Sequence, residues 1–299
     1  KYTKDAIGVA VSDRYTNEEA YAIKKMAEAM GAKTFCMNAR QSGIEKVIGY
    51  DASPNTIDEL LSTDLILAVG FNTTDNPVIQ LKMKQAAERG TKVVLINAEG
   101  YEQSMPYLAK EVYVPAEQNH VGFLKAVAKA IVDSGKGKDI AGYDEFVASL
   151  ADFPICEQAN AMAKEIADMY LGAKKAMIVF NQNLISVDAA TLLADIALLS
   201  GHIGTPRDGI LQVKPKNNSQ GLIDLGIRNG AEALEGVKAL LIFGEDVKAD
   251  LSGLEFLMVS DTHVTDTVAQ ADVVLPGTGF ANTDGTYTNT ERRLDPGER

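Results

Sequence analysis

The densest run of side chains able to hold a ligand is Asn217-Asn218-Ser219-Gln220-Gly221. Its carboxamides offer paired donors and acceptors that suit the edge of a guanine or a pterin. The same residue types also cap helices and close turns, so composition alone leaves that alternative open. Ser12 and Asp13 stand at the end of an apolar run, but no local motif supplies a histidine to activate the hydroxyl. Gly201 to Gly209 contains His202 in a dense series of turn residues and reads as a structural loop.

Redox and metal chemistry have little to draw on. Cys36 and Cys156 are the only cysteines, and their wide separation reads as two buried thiols. An iron–sulfur cluster takes four cysteine ligands, and structural zinc takes several Cys or His close together. His120, His202 and His263 are scattered singly, so the expectation is a metal-free chain. No GxGxxG fingerprint, Walker A loop or G-x-S-x-G elbow is present.

Alternating short apolar runs and helical patterns must position these residues. Ala6–Val11 and Lys33–Met37 read as strands around a helix opened by the capping box Thr16-Asn17-Glu18-Glu19 and stopped at Gly31. Ser53-Pro54 opens a short helix through Leu61, and Asp64–Gly70 reads as a strand buried on both faces. Asn76-Pro77 starts a helix to Arg89, followed by the strand Lys92–Asn97. Glu111–Pro115 and Ala176–Phe180 are further strands, with helices over Val121–Val132, Cys156–Leu171 and Asp188–Leu199. Gly201–Gly226 is rich in turns. Strands return at Lys238–Phe243, Phe256–Ser260 and Ala271–Leu275, the last a short buried strand before an Asp-Gly turn and an extended tail. This alternation predicts an α/β fold with mainly parallel sheets. Ligands of such sheets bind at the carboxyl ends of the strands. Those loops are Phe71–Pro77, Asn97–Gly100, Phe243–Val247, Asp261–His263 and Pro276–Gly285.

The bulk numbers restrict the function class. With 29 Lys+Arg against 41 Asp+Glu, the net charge of −12 opposes general nucleic-acid binding. The longest apolar runs fall far short of the ~20 residues of a membrane span. The charged start shows no signal-peptide pattern, the missing Met and charged end read as a trimmed piece of a longer chain, and the expected location is cytoplasmic.

Four colinear segments together resemble the molybdopterin oxidoreductase family, which includes formate dehydrogenase and the large iron–sulfur subunit of NADH-quinone oxidoreductase. They are Thr63–Pro77, Ser200–Ile210 with Asn217–Gly221, Phe243–Asp246, and Ala271–Pro276 with Asp284–Arg292. The resemblance implies two interleaved αβα, Rossmann-like domains, one from residues 1–41 plus 216–299 and the other from 42–215. It implies contacts to a molybdopterin guanine dinucleotide from Gly70, Asn72 and Asp75, from Asn217, Asn218 and Gly221, and from Gly244, Glu245 and Asp246. Where active formate dehydrogenases carry a metal-ligating Cys or selenocysteine followed by His, this chain has Ser42 and Gly43. Lys214 stands for an active-site Arg, keeping the charge without the bidentate fork. Asn97-Ala98-Glu99 replaces an Asp-Pro-Arg contact. These departures lead to the expectation of a core piece of the large iron–sulfur subunit of an NADH dehydrogenase (quinone). It would be a structural and interface module without catalytic residues or a redox centre of its own. Its iron–sulfur clusters would lie in preceding domains, and its partners would be other subunits of an NADH dehydrogenase-type complex, at the cytoplasmic face of a membrane. The alternative is a fragment of a molybdenum or tungsten bis-pterin dehydrogenase of the formate dehydrogenase type, with Ser42 as a candidate ligand. A stand-alone nucleotide-binding domain is a third reading.

Overall fold

The computed structural model describes residues 1–72, 74–98, 105, 108–114, 119–150, 156–230 and 234–297. Thr73, Glu99, Gly100 and Pro115, each part of a segment named above, lie outside these residues. The chain divides into two compact units, Lys1–Gln41 with Lys214–Arg299, and Ser42–Val213.

The first unit carries a five-stranded sheet built from β1 (Ile7–Val11), β2 (Lys33–Phe35), β8 (Ala239–Phe243), β9 (Phe256–Asp261) and β10 (Val273–Pro276). The order is β10-β9-β8-β1-β2, and every pairing is parallel. Helix α1 (Asn17–Met30) lies between β1 and β2 in the chain. Its capping box is complete: the Thr16 hydroxyl accepts from Glu19 N at 3.1 Å, and Thr16 N donates to the Glu19 carboxylate at 2.9 Å. Ala20, Ile23 and Ala27 recur at helical spacing and pack on Val9 and Val11 of one sheet face. Ala10, Leu240, Ile242 and Val259 form the core on the other face.

The second unit holds β3 (Leu65–Val69), β4 (Lys92–Ala98), β5 (Lys110–Val114), β6 (Ala176–Asn181) and β7 (Gly209–Val213). Its order is β5-β4-β3-β6-β7, again all parallel. Every residue of β3 and β6 is buried, as an inner strand covered on both faces requires. The helices of this unit are α2 (Glu45–Ile48), α3 (Pro77–Glu88), α4 (Asn119–Asp133), α5 (Tyr143–Ser149), α6 (Glu157–Gly172) and α7 (Val187–Ser200). Residues of α4, α6 and α7 join Leu65, Leu67 and Val69 in one core, while Ile79, Met83 and Ala86 of α3 join Ile66 and Ala68 in the other. Two packed faces of this size make an α/β layer structure, as the sequence pattern predicts.

Three local expectations are corrected. No helix opens at Ser53-Pro54; only a 3-10 helix, Asp58–Ser62, forms over the end of this stretch. The Ser53 hydroxyl instead accepts from Gln212 N at 3.0 Å, and Asn55 Oδ1 accepts from Ile210 N at 3.1 Å. Side chains that suit a helix cap here satisfy the open edge of β7. The turn-rich Gly201–Gly226 contains both β7 and a short helix, α8 (Ser219–Asp224). Finally, β10 is an exposed edge strand, with Val273, Val274 and Leu275 40%, 51% and 46% accessible. Its apolar composition suggested burial, but composition cannot tell an edge from a centre. Beyond it, β11 (Gly285–Thr288) and β12 (Leu294–Gly297) pair as an antiparallel ribbon.

Asp195, on the helix α7 that packs into the second unit's core, makes stability depend on pH. Burial pushes its carboxyl up to about 6. The folded state therefore holds this proton more tightly than the unfolded chain, whose aspartates titrate near about 3.9. The favourable contribution is complete below that value and is lost as pH rises through about 6. Asp195→Asn is expected to stabilise the protein by roughly 1–2 kcal/mol at pH 8 and to show little gain at pH 4. Urea midpoints of both forms across this range check it; a gain independent of pH would rule out the assignment.

Candidate nucleotide-binding crevice

In the first unit the chain runs from β1 to β2 on one side and later places β8 on β1's other side. The strand order thus reverses between β1 and β8, the place where loops part and leave a crevice at the carboxyl ends. A cavity of about 550 Å³ opens there. Arg14 and Tyr15 reach it from the end of β1, Gly244 and Asp246 from β8, and Asp261, Thr262 and His263 from β9. Thr278, Phe280 and Tyr287 complete the aromatic and hydroxyl lining.

Backbone geometry builds this mouth. Gly244 has φ +68°, and its N–H donates to Ser260 O at 2.8 Å. A Cβ on Gly244 would stand 2.2 Å from the Tyr15 ring, so glycine is what lets the tyrosine lie against the β8 turn. Burial raises the Tyr15 phenol's proton affinity, partly offset by a hydrogen bond with Ser260, which keeps it a neutral donor and a stacking face. The Thr267 hydroxyl donates to Asp246 at 2.7 Å and holds that carboxyl below the usual range, with Lys248 3.6 Å away. Asp261 Oδ1 accepts from the backbone N–H groups of Thr262 and His263 at 2.6 and 3.1 Å, which fixes the β9 turn. Aromatic faces, carboxylates and a guanidinium form a set that stacks a heterocycle, accepts from its N–H edge and pairs with a phosphate.

Of the residues singled out by sequence, Gly244 and Asp246 line this cavity. Glu245, between them, points into the protein and accepts from Asn38 Nδ2 at 2.8 Å. Asn217 is exposed, whereas Asn218 is fully buried. Its carboxamide donates to Tyr15 O at 2.8 Å and accepts from Thr288 N at 2.7 Å, tying α8 to β1's loop and to β11. Gly221 packs so closely on Asn17 and Asn218 that a Cβ would meet their oxygens at 2.2 Å. Sequence reasoning does not single out Arg14 and Tyr15, whose one signal is a place in the loop after the first strand, and Tyr287 enters it only inside the Asp284–Arg292 segment.

In the second unit the order reverses between β3 and β6. Gly70, with φ +55°, ends β3 and packs on Ile185 beyond β6. Asn72 Nδ2 donates to Asp75 at 2.9 Å, and Asn72 Oδ1 accepts from Thr74 N at 2.9 Å. Ser42 is buried; its hydroxyl donates to Asp51 Oδ1 at 2.8 Å and its N–H to Asp51 Oδ2 at 3.1 Å. Gly43 has φ +110°, and a Cβ there would stand 2.5 Å from Val187 O. Lys214 is buried directly after β7. His202, by contrast, is structural: Nδ1 lies 2.7 Å from Asp208 and Nε2 2.8 Å from Tyr170 O. Of the two cysteines, Cys36 is buried but Cys156, at the start of α6, is exposed, contrary to the reading of two buried thiols.

The molybdopterin oxidoreductase family model matches residues 1–296. The chain belongs to the molybdopterin oxidoreductase family. It is 25% identical to the probable oxidoreductase YjgC of Bacillus subtilis over 97% of its own length and 37% of that protein. It is 26% identical to the F420-dependent formate dehydrogenase subunit alpha of Methanocaldococcus jannaschii, covering 98% of this chain and 54% of that one. The chain thus spans about a third to a half of these relatives. Acetylene hydratase from Pelobacter acetylenicus shares the fold, with a TM-score of 0.72 at 13% identity over 99% of this chain and 52% of that one. Among the described residues, no helix is long and apolar enough to cross a membrane.

The family's pterin dinucleotide sets two fit tests. The β1/β8 crevice suits a nucleotide arm in volume and aromatic walls, and Arg14 offers a guanidinium to a phosphate. The Ser42–Gly43 segment does not suit a metal ligand: its hydroxyl is committed to Asp51, and an alcohol is a poor substitute for a soft thiolate.

Proposed function

We propose that this chain is the nucleotide-holding part of a molybdopterin oxidoreductase of the formate dehydrogenase type. The observation that carries the reading is the β1/β8 crevice, with its aromatic faces beside Arg14 and three carboxylates, Glu19, Asp246 and Asp261. A guanine would stack on Tyr15 and donate from its N–H edge to Asp246 or Asp261, with Arg14 on a phosphate. The bound group would supply the redox chemistry; these residues bind and orient it. Kinship with a formate dehydrogenase alpha subunit supports formate as the substrate class.

One observation favours a second reading, a scaffold within the large iron–sulfur subunit of an NADH dehydrogenase complex. It is the packed Ser42–Asp51 bond and the crowded Gly43. Both readings are tested on protein purified from its native host. Stoichiometric molybdenum or tungsten with formate-dependent dye reduction supports the dehydrogenase; metal-free protein co-purifying with iron–sulfur subunits supports the scaffold. Binding itself is checked by calorimetry with guanosine monophosphate. Tyr15→Ala is expected to weaken it by about tenfold, the scale of one base–aromatic stack. Undiminished affinity in that variant would remove the crevice from consideration.

A further inference from the structure

Beneath the crevice, three side chains meet inside the first unit. Asp13 lies two residues past β1, Cys36 directly follows β2, and Glu245 lies two residues past β8. Because β8, β1 and β2 are neighbours in the sheet, these positions converge, and one ligand-capable atom from each lies within 4.8 Å of the others. Asp13 and Cys36 are fully buried, and Glu245 is 8% exposed.

Acidic neighbours and a thiol do not by themselves make a site, but the hydrogen bonding here is incomplete in a particular way. Each carboxylate commits one oxygen: Asp13 Oδ2 accepts from the Ser219 hydroxyl at 2.5 Å, and Glu245 Oε1 from Asn38 Nδ2 at 2.8 Å. The other oxygens, Asp13 Oδ1 and Glu245 Oε2, are buried with no hydrogen-bond partner. Leaving one buried carboxylate oxygen unsatisfied is costly, and doing so in two carboxylates that converge on one place costs more. A cation between them satisfies both at once.

We propose that Asp13, Cys36 and Glu245 bind a borderline-soft divalent cation of the zinc class. The donor set decides the class. A thiolate with two carboxylates suits zinc, whereas calcium and magnesium take oxygen only. Zinc bonds of about 2.3 Å to sulfur and about 2.0–2.2 Å to oxygen require the three groups to draw in by about 1 Å, within the reach of rotamer adjustment. On binding, the Cys36 thiol gives up its proton to solvent, and the Sγ–metal bond forms in its place. Ser219 and Asn38 orient the two carboxylates from behind, the arrangement by which outer partners tune metal sites. The cation would staple the carboxyl ends of three adjacent strands directly under the crevice floor. Sequence reading expected a metal-free chain, because these ligands come from three distant segments and share no motif.

The test uses the whole chain expressed with zinc or with cobalt as a spectroscopic substitute. One equivalent of zinc retained through gel filtration, and a sulfur-to-cobalt charge-transfer band lost in Cys36→Ala, is the expected result. Asn38→Ala, which leaves all three ligands, is expected to weaken zinc binding by about tenfold. Cys36→Ala fills a buried site with a small apolar residue, and circular dichroism reports whether it folds. Folded wild-type protein with neither zinc nor the cobalt band would overturn the proposal, leaving the two acids to share a proton. A cobalt band that persists in folded Cys36→Ala, or zinc affinity unaltered in Asn38→Ala, would equally reject this ligand set.

Discussion

Replacing Gly43 by alanine is expected to destabilise the protein by about 3 kcal/mol, the combined scale of a strained positive φ and an overpacked contact. Two effects add at this position. The backbone φ of +110° is one that side-chain-bearing residues rarely adopt. A Cβ would also stand 2.5 Å from Val187 O and 2.8 Å from the Thr191 hydroxyl, which itself donates to Gly43 O at 3.1 Å. Backbone of α7 cannot yield as a flexible side chain does. Gly43→His, which restores the residue found in active formate dehydrogenases by resemblance, is expected to cost more still. Ser42→Cys, which adds little volume and loses one hydrogen bond to Asp51, is expected to cost about 1 kcal/mol. Urea unfolding of the three variants checks the order. Equal midpoints for Gly43→His and the parent would mean that the turn opens readily and that the metal-ligand address is not sealed.

Removing the Asp208 carboxylate is the second large effect. Its two oxygens gather Ala176 N at 3.1 Å, His202 Nδ1 at 2.7 Å, and Lys175 Nζ and the Thr205 hydroxyl, both at 3.3 Å. Asp208→Ala leaves a buried imidazole and a strand N–H without their acceptor, at an expected cost of about 3–5 kcal/mol. Burial pushes the carboxyl's proton affinity up, but the hydrogen bonds from Ala176 and His202 outweigh it and hold it below the usual range. A depressed folded value means the contribution is present above the unfolded value of about 3.9 and disappears as pH falls through the folded one. Thermal midpoints should therefore separate parent and Asp208→Ala strongly at pH 7 and converge toward pH 2. A separation that persists undiminished in acid would show that packing, not the carboxylate, holds the loop.

The amino-acid pattern determined more of the architecture than of the site. The short apolar run Leu65–Val69, bounded by turn residues, reads as a strand of a covered sheet, and Thr16 with Glu19 defines a helix start by local hydrogen bonding. Both are short-range facts, so they are legible along the chain. Ser53 and Asn55 misled, because the side chains that cap helices also satisfy an exposed strand edge, and only the neighbouring β7 decides between the two. The same limit hid β10's exposure, since an edge and a centre have equal composition.

For the site, sequence located the strand-end loops and picked Gly244 and Asp246, but it also offered Asn218, whose carboxamide is spent inside the fold. Tertiary structure alone decided which loops share a wall, because the strand order β10-β9-β8-β1-β2 joins residues more than two hundred positions apart. It placed Arg14 and Tyr15 opposite Asp246, and it buried Asp13, Cys36 and Glu245 together beneath them. Local propensity writes the elements; the crossover that carries β8 to the side of β1 creates the crevice, and no stretch of sequence contains it.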